Sequence, residues 1–213
     1  MMAKLTFNES DHARIGAAIT AAEAATTGEI YAVFTRQSSS YQFVGATAAL
    51  GLALVAALAT ALLALAFGVT VPAIGLIVCQ IGAAVFLGGV LAFVPPLRML
   101  FVPRAIAASR AHDFAMRQFA AHGIHLTEQR TGVLIFVSEA EHHAEIVADA
   151  GIAAKVPQAA WDAIVAGLIE AAREDRVATG YVAAITAAGQ ILGEHFPGDA
   201  TNRNELPDRL VVI

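Results

Sequence analysis

The sequence predicts an α/β domain interrupted by a transmembrane helical hairpin, and three observations predict it. Residues 37–97 contain no Lys, Arg, Asp, Glu or His, a run that soluble domains do not normally sustain. Val133-Leu134-Ile135-Phe136-Val137 is a short continuous apolar run, the pattern of a strand covered on both faces. Trp161, Ile164, Val165, Leu168 and Ile169 recur at helical spacing, which marks an amphipathic helix over residues 157–173.

Charge bounds the class of partner. The 213 residues carry 13 Lys and Arg against 18 Asp and Glu, a net charge of -5. No basic excess marks a nucleic-acid surface, so nucleic-acid binding is not expected. The single cysteine, Cys79, falls inside the uncharged run, which excludes a disulfide framework or a cysteine zinc cluster.

Taken in order, the chain opens with Asn8 or Ser10 as a helix cap and Asp11 in the first turn. Ile15, Ala18, Ile19 and Ala22 continue that helix, and Gly28 is suited to its end. Glu29-Ile30-Tyr31-Ala32-Val33-Phe34-Thr35 reads as a strand. The beginning, Met1-Met2-Ala3-Lys4-Leu5-Thr6, has no apolar core of a signal peptide, so the first span is expected to direct insertion.

The bilayer's hydrocarbon is about 30 Å thick and takes about 20 apolar residues per helix. The uncharged run therefore divides into spans over residues 43–67 and 73–94, joined by Gly68-Val69-Thr70-Val71-Pro72. Ala49, Ala53, Ala57 and Ala61 repeat every four residues, as do Gly75, Cys79 and Ala83. Such stripes let helices pack closely, and they make the hairpin the candidate surface for a homo-oligomer. Arg36 before the spans and Arg98, Arg104 and Arg110 after them place both flanks, and so both termini, in the cytoplasm of a multi-pass protein of the plasma (inner) membrane.

Past the second span, Pro103 starts an amphipathic juxtamembrane helix reaching about His122, which Gly123 stops. A second strand is expected over residues 144–149 with a turn at Gly151. A last helix spans residues 177–195, and Leu210-Val211-Val212-Ile213 closes a polar tail as an edge strand. The expected organisation is thus residues 1–40 as the first helix and strand of one domain, 41–97 as the inserted hairpin, and 98–213 as the rest of that domain. The helix and strand of residues 1–40 are too small to bury a core alone.

These pieces resemble the TPM-domain family. The resemblance rests on Asp11, Ile15, Ile19 and Glu23 leading into Thr26-Thr27-Gly28-Glu29-Ile30-Tyr31-Ala32-Val33, and on Arg130-Thr131-Gly132-Val133-Leu134-Ile135-Phe136-Val137-Ser138. It continues through Ala144-Glu145-Ile146-Val147-Ala148-Asp149-Ala150-Gly151-Ile152 and the Trp161 helix. Asn204-Glu205-Leu206-Pro207-Asp208-Arg209-Leu210 resembles the tail of a bacterial membrane-anchored branch. The resemblance implies a small α/β sandwich of a few strands flanked by helices. It also implies a non-enzymatic accessory role in membrane-protein assembly, repair or envelope maintenance, with the bilayer and other membrane proteins as partners. An acid phosphatase with bound divalent cations is the family's other activity. Here, however, Leu5-Thr6-Phe7-Asn8 stands where members with the cation site carry an acidic pair.

The densest polar constellation is Glu139-x-Glu141-His142-His143-x-Glu145, with Asp149 beyond it. Glu141, His143, Glu145 and Asp149 are the metal candidates. Carboxylates and imidazole together suit a transition metal, and oxygens alone suit calcium. Strand alternation puts Glu145 and Asp149 on one face, joined by His143. This makes a divalent-cation or pH sensor a further reading beside a membrane-tethered phosphatase-like hydrolase. Ser138 follows a buried strand but lacks a Gly-x-Ser-x-Gly elbow, and no Gly-rich phosphate loop or His-Glu-x-x-His is present. No catalytic residue is assigned and no organic cofactor is implied.

Overall fold

The computed structural model describes residues 5–198 and 204–213, so the first residues of the tail expected from Asn202 lie outside the described residues. The chain forms two compact units, one of Met1–Ser38 with Ala108–Ile213, the other Ser39–Ala107.

The first unit is built on a four-stranded sheet. Its strands are β1 (Glu29–Thr35), β2 (Gly132–Ser138), β3 (His143–Ala148) and β4 (Leu210–Val212). The spatial order is β3-β2-β1-β4. β1 runs parallel to β2 with Glu29 opposite Gly132 and Thr35 opposite Ser138. The pairing joins segments more than ninety residues apart in sequence, across the insertion. β4 adds to the other side of β1, also parallel, through Ala32, Val33 and Phe34. β3 returns antiparallel to β2, with Ser138 opposite His143. All seven residues of β1 and of β2 are buried, as strands covered on both faces require.

Pleating sends alternate side chains to opposite faces. Ile30, Ala32, Phe34, Val133, Ile135 and Val137 pack with Trp161, Leu168, Tyr181 and Ile185 on one face. These come from α7 (Gln158–Arg173) and α8 (Val177–His195), joined by Ile15 and Ile19 of α1 (Glu9–Glu23). Tyr31, Val33, Leu134 and Phe136 face the other way, onto Ala111, Ala115 and Phe119 of α5 (Arg104–Ala121). Small Ala111 and Ala115 let α5 lie close to the sheet. Asn8 caps α1, accepting from the Asp11 amide while Asp11 accepts from the Asn8 amide, the reciprocal pattern of a capping box. Gly123, at φ +67°, ends the helical run after α5. Gly132 is needed for a different reason: a Cβ there would stand 2.3 Å from the Ile124 carbonyl oxygen.

The second unit contains α2 (Gln42–Ala66), α3 (Ala73–Phe93) and the short α4 (Pro95–Met99). At 25 and 21 residues, α2 and α3 are long enough for about 30 Å of hydrocarbon, and both are apolar enough to cross a membrane. Gly45, Ala49 and Ala53 of α2 are buried, as is Leu91 of α3, so the alanine stripe of α2 is an inner face. The expected companion stripe on α3 is not continuous. Cys79 is exposed, while Gly75 and Ala83 of that stripe are half-buried, as are Leu76, Gln80, Leu87 and Gly88. The outer faces present Phe93 at 88% exposure, Phe43 at 80% and Leu65 at 79%, surfaces that water does not favour.

The polar corner beyond β2

The expected strand residue Asp149 lies outside the strand. β3 ends at Ala148, and Asp149 caps α6 (Ala150–Ala153), its Oδ1 accepting from the Ala150 amide at 2.6 Å. The Asp149 amide still donates to the Gly132 carbonyl at 2.9 Å. An N-cap carboxylate satisfies a helix end, and that local demand removes Asp149 from the proposed ligand face.

Glu141 is also drawn elsewhere. The turn from β2 to β3 places His142 at φ +50°, with its amide donating to the Glu139 carbonyl at 3.1 Å. That tight geometry folds Glu141 inward, where it is 9% exposed. Its Oε1 accepts from the Ser38 amide at 3.0 Å and the Ser38 hydroxyl at 2.7 Å. Its Oε2 accepts from the Ser138 hydroxyl. Glu141 therefore ties the exits of β1 and β2 together, and Ser138 is a buried donor in that clamp rather than an open nucleophile.

His143 and Glu145 do share a face, and a third residue joins them. His112 of α5 brings Nδ1 to 2.8 Å from Glu145 Oε2, while His143 Nε2 stands 3.5 Å from Glu145 Oε1. The second spacing is an ion-pair distance, longer than a made hydrogen bond. Burial raises the Glu145 carboxyl, but His143 and His112 together outweigh it and hold the group below its ordinary 4.5. His112 had no sequence signal: it is 33 residues before Glu145, on the rim of a helix that buries Ala111, Ala115 and Phe119. Among the described residues, no group of three or more His, Cys, Asp or Glu side chains forms a ready-made metal cage. A cleft of about 80 Å³ adjoins this corner, lined by Leu5, Ser138, His142, His143 and Arg173.

A second carboxylate group lies at the opposite end of the sheet. Glu23 Oε1 accepts from the Ile30 amide at 2.7 Å, and Glu29 Oε2 accepts from the Leu206 amide at 3.1 Å. Burial pushes Glu23 up to about 9. The Ile30 amide opposes this, and neighbouring Glu29 and Asp208 add to it. Burial likewise raises Glu29. This group was visible in outline, since Glu23 continues the Ile15, Ile19 stripe at a spacing of four.

Residues 96–191 match a family model described as TPM domain. The matched segment contains His112, Ser138, Glu141, His143, Glu145 and Asp149. Among solved structures, the chain is similar to the NMR structure of BA42 protein from the psychrophilic bacteria Bizionia argentinensis, with a TM-score of 0.60, 19% identity and 100% of both chains covered. That likeness is one of fold. No curated protein matches the chain.

Proposed function

We propose that this chain, which matches the TPM domain family model over residues 96–191, is a membrane-anchored, non-enzymatic interaction protein that serves the assembly, repair or maintenance of other membrane proteins. The observation that carries the anchoring is the placement of two uncharged, outward-apolar helices between strands β1 and β2, which pair with each other. An insertion of this kind leaves both flanks available to one domain on one side of a bilayer. Arg98, Arg104 and Arg110 follow the second span and Arg36 precedes the first, while Gly68–Pro72 carries no charge. That charge pattern supports a reading in which the domain and both termini lie on the cytoplasmic side of a bacterial inner membrane. A non-enzymatic role is supported by the enclosure of Ser138 and Glu141 in a structural clamp.

Reporter fusions after Ile213 test the reading. Green fluorescent protein is expected to fluoresce there and alkaline phosphatase to stay inactive. The reverse result would put the domain outside the cytoplasm and overturn the assignment of partners. Detergent-solubilised protein is then expected to co-purify with integral membrane proteins in an amount that replacing residues 108–213 abolishes.

A further inference from the structure

We propose that Arg98 and the N-terminus of α2 form a binding site for the phosphate of an anionic phospholipid, an inference that rests on reading the hairpin as a membrane anchor. Arg98 is 5% exposed, and its Nε is buried without a hydrogen bond. Among the described residues no carboxylate stands within ion-pair distance of its guanidinium. The unit that holds it, Ser39–Ala107, contains Arg98 and Arg104 but no Asp or Glu. A cation taken out of water without a partner is costly. Loss of a proton does not relieve it, because arginine stays charged. An anion supplied from outside the chain removes that cost.

The other half of the site is the start of α2. The first amides of a helix have no acceptor within it and form the positive end of its dipole. In α2 no side chain caps them, and no acidic residue stands in the first turn. Arg98 lies against this same turn: a Cβ at Gly45 would stand 3.1 Å from Arg98 Cδ and 3.4 Å from its Cγ. Glycine at 45 therefore lets a cation lie along a helix end that is itself positive. Two positive features side by side repel each other when empty and together hold a phosphate. Their position selects a lipid as its source. α2 begins at Gln42 and α3 ends at Phe93, so Arg98 follows the open end of the hairpin. Phe43 and Phe93 expose apolar surface at that end. Lipid phosphates lie just outside the hydrocarbon, at the level where such spans end. An anionic lipid is preferred because a zwitterionic one brings its own ammonium to its phosphate.

The test uses the full chain in mixed micelles doped with equal amounts of phosphatidylglycerol and phosphatidylcholine. Native mass spectrometry is expected to find one phosphatidylglycerol retained per chain. Arg98→Gln should weaken that binding by about tenfold, while Arg104→Gln, which removes the same charge from an exposed position, leaves it within about twofold. Phosphatidylglycerol should also raise the melting temperature of the wild type and not that of Arg98→Gln. Where Arg98→Gln fails to fold, Gly45→Val is the variant read, since it pushes Arg98 aside and keeps every charge. Equal weakening by Arg98→Gln and Arg104→Gln would reduce the effect to diffuse attraction and overturn the site. So would equal retention of the two lipids, or displacement of the lipid by inorganic phosphate, which would make the ligand a soluble anion. A chain that resists alkaline extraction from membranes yet retains no phosphatidylglycerol would lose the site and keep the anchor.

Discussion

Glu23 and Glu29 lie buried at the start of β1 beside Asp208, whereas Glu145 lies in the first half of β3 beside two imidazoles. Both groups carry carboxylates out of water within one sheet. The Glu23 carboxyl is driven up to about 9 and the Glu145 carboxyl is drawn below its ordinary value. Burial acts in the same direction on both, so the neighbours decide the sign. Burial, with carboxylates beside it, raises the Glu23 carboxyl, whereas the imidazoles beside Glu145 outweigh burial and hold it low. The acidic end serves as glue between α1, β1 and the segment leading into β4. The mixed end joins α5 to β3 through an imidazole–carboxylate contact.

The largest expected effect concerns the core that both ends share. Trp161 is 2% exposed in the layer formed with β1 and β2, and Trp161→Ala should cost about 3–5 kcal/mol. Chemical denaturation should lose both ends in one transition; a loss under about 1 kcal/mol would show that they do not ride on a common core.

The next effect is a pH dependence with a defined sign. Glu23 ionises near 4.5 when unfolded and near 9 in the folded protein. Its contribution to stability is full below pH 4.5 and declines as pH rises through the window up to about 9. At about 1.4 kcal/mol per pH unit, the slope amounts to about 3 kcal/mol between pH 5 and 7. Glu23→Gln keeps an oxygen for the Ile30 amide and has no proton to lose, so it should flatten that part of the profile and raise stability at pH 8. Equal slopes for wild type and variant would remove the acidic half of the comparison.

Glu141→Ala tests the clamp at the mixed end. It leaves the Ser38 amide and two hydroxyls without their acceptor, and should cost about 2–3 kcal/mol. Unchanged stability would mean that these donors find water. The smallest effect is expected for His112→Ala, under about 1 kcal/mol, because the ring is half in solvent. A larger loss in a thermal melt would make His112 a packing residue and blur the contrast between the two ends.

Much of this architecture was legible in the sequence because it follows from periodicity. The apolar run of β2, the stripe around Trp161 and the uncharged hairpin each declare their surroundings. β4 was legible as an edge, but its parallel pairing with β1 was not, since three residues carry no register of their own. The site was only half legible. His143 and Glu145 share a face as alternation requires, but Asp149 left that face to cap α6 and Glu141 turned in to bind two serines. Local hydrogen-bond demand overrode strand alternation at both places. His112 arrives through tertiary packing, which spacing along the chain does not encode.

The central claim is that residues 41–97 anchor an otherwise continuous α/β domain in a membrane. An alkaline wash of membranes carrying the full chain, beside a variant with residues 41–97 replaced by a flexible linker, addresses it directly. The full chain should remain in the membrane pellet while the variant appears folded in the supernatant. Release of the full chain by the wash would contradict the anchor.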